Sequence, residues 1–431
     1  ARSPTARSGR VPWLKPGWVN KMILVAHPVG NQNVRALLGA LNQRRLLHSF
    51  HSSLALHKDS WLCRLPVVGK ECLRRTFDMV DGALLHSYPR YDVPRVLCDK
   101  LKWYSLTQRN IGMFCPENVY EHIDRASAQF LYNTARKPSQ VYGYDGKCKA
   151  LFTAAKAVGG ITLNYEAAFG SISYACGMLD HEREANPAWR ASIPNLSETT
   201  IRKQTAELAL ADRIIVASTF AKRTLGESGI AHHKVAVTPY GAPAPMVHKE
   251  VNVRAGGPLK VIFVGALTQQ KGISYFFEAL KIASGSVALD VTVIGADYAN
   301  GRNQALNSEL KKYRWLSSAP HDQVIRQLLA ADVLVLPSLA EAFGLVVGEA
   351  LSTGTAVIVS QNCGAADLII DGFNGYVVPI RSAEAIAARL VELADDSEKL
   401  SALKHNAVFS AGRTTWDTYA KEVLDAILGQ P

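Results

Sequence analysis

Short apolar runs that alternate with helix-periodic segments, twice over, constrain this chain more than any other feature. The first series opens with Met22–Ala26 (MILVA), a continuous apolar run that suits a buried parallel strand. A loop with Gly30 follows, then helical periodicity from Val34, where Asn33 is the expected cap. Further strands are predicted at 82–87, 160–166, 212–218 and 234–240, and helices at 150–159, 196–211 (capped by Ser197) and 219–228. Residues 241–258 hold three Pro and three Gly with no apolar period, so a linker is expected at 245–258. The series then restarts, with strands at 259–265, 289–295, 332–338 and 355–360. Helices are expected at 272–284, 322–331, 345–354, 365–370, 382–396 and 414–428. Alternation of this kind predicts an α/β protein with two open, doubly wound parallel sheets, each covered by helices on both faces.

Bulk properties narrow the function classes. A chain of 431 residues has room for two or three domains, and 48% hydrophobic and 20% charged residues are ordinary for a globular protein. The longest apolar runs fall far short of the ~20 residues that span a bilayer. Residues 1–20 are basic and aperiodic, without the apolar block of a signal peptide, and read as a flexible tail in a cytoplasmic protein. Seven scattered cysteines without a CxxC pair suit buried thiols in a reducing compartment, not a zinc site or a redox dithiol. Charge is uneven: +14 over residues 1–250 and −3 over 251–431, together +11. A basic first half suits an anionic membrane surface or an acidic substrate, or is simply a solvated face. No nucleic-acid-binding signature accompanies it, so nucleic acid is not expected as a partner.

In doubly wound sheets, ligands bind beyond the carboxyl ends of the strands. Two such ends carry suitable groups. Val264-Gly265 leads through Lys271-Gly272 into a helix, where exposed N–H groups, the positive end of the dipole and an ammonium favour a phosphate. The other reading is a surface loop with a solvated lysine. In the second segment, PSLAEAFGLVVGEALSTG (337–354), Glu341 sits in a turn before a helix that begins near Gly344 or Leu345. A glutamate in such a turn can accept hydrogen bonds from sugar hydroxyls, and Glu349, on the helix, can bind a ribose diol. Both glutamates can equally be first-turn residues that complement the dipole.

The Glu341…Glu349 pair, with seven residues between, resembles the E-x7-E signature of retaining GT-B glycosyltransferases of family 4, the group 1 glycosyl transferases. PSLAEAFGLVVGEALSTGTAVIVS, DLIIDGFNGYVVP (367–379), FVGALTQQKGISYFFEAL (263–280) and TWDTYAKEVL (415–424) are similar to that family's blocks, in order. Over 21–245 the likeness is looser. The resemblance implies a GT-B fold: a Rossmann-like acceptor domain over 21–244 facing, across a cleft, a Rossmann-like donor domain over 259–412, with a closing helix over 413–431 that packs back on the first domain.

It also implies roles. Glu341 would hold donor-sugar hydroxyls, and Phe343, Gly344 and Leu345 would offer backbone N–H groups to the sugar and diphosphate. Glu349 would bind the ribose, Lys271 would neutralise the diphosphate beside Gly265, and Gly30 would let the first-domain loop approach the donor. Two positions depart from the family pattern: Ala266 stands where a basic residue is usual, and Ala342 where a glycine is usual. Tyr165-Glu166 occupies the place of a His-acidic pair that contacts the sugar. The activity implied is retaining transfer of a hexose-type sugar from a nucleotide-diphosphate sugar to a glycan, lipid-linked or small-molecule acceptor. Neither a cofactor nor a metal is expected, because Lys271 and helix N-termini stabilise the leaving group. A donor-binding but inactive partner subunit and a sugar-nucleotide epimerase are the competing readings.

Overall fold

In a computed structural model, residues 21–64, 69–246 and 256–429 are described. The tail expected over 1–20 and most of the linker expected over 245–258 lie outside them. Thirteen named strands form two sheets. The first holds β1 (Ile23–Ala26), β2 (Leu47–Ser52), β3 (Leu85–Ser87), β4 (Gln140–Tyr144), β5 (Thr162–Glu166), β6 (Arg213–Val216) and β7 (Val235–Val237), in the order 3-2-1-4-5-6-7. The second holds β8 (Leu259–Val264), β9 (Leu289–Ile294), β10 (Arg314–Leu316), β11 (Val333–Leu336), β12 (Ala356–Ser360) and β13 (Gly375–Val378), in the order 10-9-8-11-12-13. Pairing is parallel, as between β1 and its neighbours β2 and β4, and between β8 and its neighbours β9 and β11. In each sheet the strand order reverses between the first and fourth strands, which is the doubly wound Rossmann arrangement. The protein is thus α/β with two doubly wound, Rossmann-like sheets.

By contact the chain divides into two compact units, 1–143 with 147–164, and 144–146 with 165–431. In the first, all four residues of β1 are buried. Helix α1 (Gln32–Gln43) buries Val34, Leu37, Leu38 and Leu41. Its cap position is Asn31, without a side-chain cap bond, so the expected cap at Asn33 is corrected: Asn33 lies inside the first turn, with its side chain buried. In the second unit every residue of β11 and β12 is buried, as helices on both faces of a parallel sheet require. Helix α2 (Asp92–Lys100) belongs to the first unit. Helices α3 (Ile172–Ala185), α4 (Ile273–Ala283), α5 (His321–Ala330), α6 (Leu345–Ser352) and α7 (Trp416–Leu428) belong to the second. Ser197 caps the helix Glu198–Leu210, accepting from the Thr200 N–H. The short helix expected over 365–370 is a 3-10 turn, Gly364–Leu368. Helix α7 lies against β6, where Arg213 donates to the Ile427 carbonyl.

Candidate active site

The second sheet's switch point lies between β8 and β11, and the loops after these two strands carry the candidate residues. After β8 the chain passes Gly265, makes a 3-10 turn at Gln269–Lys271, and enters α4 through Gly272 at φ 72°. A Cβ on Gly272 would stand 2.0 Å from the Pro337 carbonyl oxygen, so only glycine lets the two loops meet. They are then laced together: the Leu339 N–H donates to the Gln270 carbonyl (2.8 Å), and Gln270 Nε2 donates to the Ala340 carbonyl (2.9 Å). Across this seam Lys271 Nζ forms an ion pair with Glu341 Oε2. The stem of Lys271 runs past Gly265, where a built Cβ would sit 3.9 Å from Cε. Gly265, Lys271 and Glu341 therefore share one small site.

The turn that bears Glu341 is fixed from behind. Glu341 N–H donates to the Asn362 carbonyl (3.0 Å), and its own carbonyl accepts from Gly364 N–H (2.7 Å). The Phe343 carbonyl accepts from Ala365 N–H (2.6 Å) and from the Cys363 thiol (3.3 Å). Cys363 is wholly buried, and burial, then the Glu341 charge, pushes its thiol up to about 12. Gly344 precedes α6 at φ 94°, a left-handed conformation that costs a residue with a Cβ. The result is an open helix front. Among the described residues, the N–H groups of Phe343, Gly344 and Leu345 make no hydrogen bond, as the first donors of a helix do when they await a partner.

Glu349 sits one turn further along α6. Its carboxylate is 3.7 Å from His321 Nδ1 on α5, not beside Glu341. Burial raises its carboxyl, while His321 pulls the other way. Tyr165 and Glu166 are buried, at 0% and 2% exposure. Tyr165 donates to Asp145 (2.6 Å), which also accepts from Gln204 Nε2 (3.2 Å). Glu166 accepts from the Tyr240 hydroxyl (2.7 Å), and the Tyr240 ring stands edge-on to Phe343 at 5.4 Å. Glu166 thus reaches the turn that follows Glu341 through one intervening side chain. Gly30 belongs to the other unit; a Cβ there would meet Phe77 Cζ at 2.3 Å, so packing already requires glycine.

Residues that motif reading missed support the site. Glu182 of α3 is fully buried and accepts from Arg381 Nε (2.6 Å), Gln269 Nε2 (2.8 Å) and Asn186 Nδ2 (2.7 Å). Burial pushes its carboxyl up, but these donors hold it below the usual carboxylate range. Gln269 is two residues from Lys271, so this network braces the loop that carries the ammonium. Ser218 Oγ donates to the Ala342 carbonyl (2.6 Å) and bolts the other loop. Neither residue stands in a motif; the only signal was a glutamate on an otherwise ordinary helix and a serine at a cap. Among the described residues, no group of three His, Cys, Asp or Glu side chains is placed to hold a metal ion.

Residues 247–408 match the model of the family "Glycosyl transferases group 1". A D-inositol 3-phosphate glycosyltransferase of Corynebacterium urealyticum is 30% identical over 241 residues, covering 51% of this chain and 57% of that one. The chain spans little more than half the length of the curated relatives it matches first. Among solved structures, the fold is similar to sucrose-phosphate synthase from Thermosynechococcus elongatus. The TM-score is 0.63 at 17% identity, over 94% of this chain and 98% of that one. It is also similar to Anabaena HepE in complex with UDP-glucose, with a TM-score of 0.56 at 15% identity, over 95% and 99% of the chains.

Proposed function

We infer, because residues 247–408 match the model of the group 1 glycosyl transferases, that this protein moves a hexose-type sugar from a nucleotide-diphosphate sugar to a glycan, lipid-linked or small-molecule acceptor. In this reading residues 259–412 bind the donor and 21–244 the acceptor, and transfer proceeds with retention and without a metal. One observation carries the reading: an ammonium and a carboxylate meet in front of a helix whose first N–H groups are open. The diphosphate lies at that helix front, where aligned N–H groups and the dipole favour negative charge. It draws the Lys271 ammonium away from Glu341. The freed Glu341 carboxylate then accepts hydrogen bonds from the donor-sugar hydroxyls. As the glycosidic bond to the diphosphate breaks, charge grows on the leaving oxygen, and Lys271 and the N–H groups, already aimed, stabilise it. In retaining transfer the acceptor hydroxyl attacks from the same face, and its proton passes to the leaving phosphate. Glu349 lies one turn further along the same helix, in reach of a ribose diol. That a relative is named a glycosyltransferase and a structural neighbour holds UDP-glucose supports a uridine or related donor.

The test is nucleotide release from UDP-, GDP- and ADP-sugars, with and without an acceptor extract, in buffer with and without EDTA. Release that needs acceptor and survives EDTA is expected. Release without acceptor would favour an epimerase. Donor binding with no release would favour an inactive partner subunit, the reading that Ala266 suggests.

A further inference from the structure

Helix α2 presents its sides in an unusual sense. A surface helix ordinarily buries an apolar stripe and shows a polar one. Here the most buried residues of α2 are Asp92 and Cys98. Asp92 is clamped by Arg75, by Arg95 (2.8 Å) and by the Ser53 hydroxyl (2.8 Å), so a charge network, not an apolar stripe, fixes the helix to the body. The apolar residues at helical spacing, Val93, Leu97 and Leu101, face water instead. The chain beyond continues the same surface: Trp103 is 56% exposed, Tyr104 62%, Ile111 73% and Met113 63%. Large apolar side chains gathered in this way on a folded surface mark a site of contact.

The charge around them selects the partner. Asp92 is neutralised by two arginines, Asp99 pairs with Arg95, and Lys100 and Lys102 remain exposed beside the apolar tip. Residues 1–164 carry the whole first-half excess of +14, since 165–250 balance to zero. Protein interfaces are depleted in lysine at their centres, whereas a bilayer surface accepts Trp and Tyr at headgroup depth with Lys reaching the phosphates. We propose that the surface formed by α2 and residues 101–113 docks on an anionic lipid bilayer, with the apolar tip inserted among the headgroups. The docking surface is independent of the transferase reading, because lipid binding can be measured without turnover.

The experiment is co-sedimentation of the full chain with vesicles of phosphatidylcholine alone or with 30% phosphatidylglycerol, at low and at high salt (about 0.02 and 0.5 M). Binding to the anionic vesicles at low salt, lost at high salt, is expected. Lys100→Gln/Lys102→Gln should weaken it about 30-fold. Trp103→Ser/Tyr104→Ser/Ile111→Ser should weaken it at least as much while leaving circular dichroism and the urea midpoint unchanged, since all three side chains are exposed. Three results would overturn the proposal. One is no sedimentation with anionic vesicles. Another is a triple variant that binds like the wild type. The last is a wild-type dimer in analytical ultracentrifugation that the triple variant dissolves, which would assign the face to a second copy of the chain.

Discussion

Lowering the pH should loosen the first unit through one buried imidazole, His27, which follows β1 and starts the loop to Gly30. It is fully buried, and burial, reinforced by the Lys147 charge, lowers its pKa from 6.5 to about 3. The Val29 N–H donates to His27 Nδ1 at 3.2 Å, so Nδ1 must be bare and the neutral ring carries its proton on Nε2. Protonating Nδ1 would turn a hydrogen bond into a contact between two donors. The sign follows: the folded state binds fewer protons than the unfolded chain between pH 3 and 6.5, so stability is full above 6.5 and falls with pH. At pH 5 the loss from this group alone is about 2 kcal/mol, from 1.36 kcal/mol per pH unit over about 1.5 units. Other imidazoles, such as buried His51 and half-buried His86, are lowered in the same direction, so the single-residue share must be isolated. The variant His27→Asn does so: its amide oxygen keeps an acceptor near the position of Nδ1 and does not titrate. Equilibrium urea unfolding at pH 7.5 and 5.0 should give a difference in stability about 2 kcal/mol smaller in the variant than in the wild type. An equal pH dependence in both proteins would refute the argument.

Three further outcomes concern the second unit. Lys271→Ala should lower kcat about 10²–10³-fold with an unchanged circular dichroism spectrum, as expected for the loss of one preorganised donor to the leaving group; wild-type turnover would remove Lys271 from the mechanism. Glu341→Gln should slow transfer yet tighten nucleoside-diphosphate binding about fivefold by calorimetry, since it releases Lys271 from a partly exposed ion pair that contributes about 1 kcal/mol; weaker binding would contradict the exchange of partners. Glu182→Ala should lower stability by about 3 kcal/mol, the low end for a broken buried pair because the Arg381 side chain is still 26% exposed; a urea midpoint equal to the wild type would show that the network braces nothing.

The legible parts of the fold are those where apolar pattern and burial coincide. β8, β9, β11 and β12 are rich in Val, Ile and Leu, and each lies within a predicted strand. β2 reads LHSFHS and has no such pattern, yet five of its six residues are buried. Its polar atoms find partners near and far: His51 Nε2 pairs with Ser49 Oγ on the same strand (3.0 Å), but Nδ1 pairs with the Tyr88 hydroxyl (2.9 Å). No local rule announces partners 37 residues away. β4 escaped notice for the same reason, since its Gln140 amide accepts from Asn164. Helix α3 and the helix Pro116–Asn133 also went unpredicted; α3 buries Glu182 beside Ile172, Ala175 and Leu179, which breaks an apolar stripe. In the site, the turn around Glu341 was legible because glycine, glutamate and helix start are all local. The supports were not, because Glu182 reaches Gln269 over 87 residues and Ser218 reaches Ala342 over 124.

That contrast follows from what each loop must do. A phosphate-and-sugar site made of helix-front N–H groups demands a tight turn, a glycine with positive φ and charges within a few residues, and such demands leave a local trace in the sequence. Holding those groups still requires only that something buried and polar meet them from behind, and many residue types at many distances satisfy that. The ion pair between Lys271 and Glu341 sets the balance between the two requirements. Both side chains are partly exposed, at 24% and 17%, so in the proposed reading the pair is weak enough for a diphosphate to compete with, while it holds an ammonium and a carboxylate at the positions that reading gives to leaving group and sugar. Stiff supports behind a weak pair in front let the site exchange partners without moving its backbone, which is the condition for stabilising charge as it develops without reorganising the site.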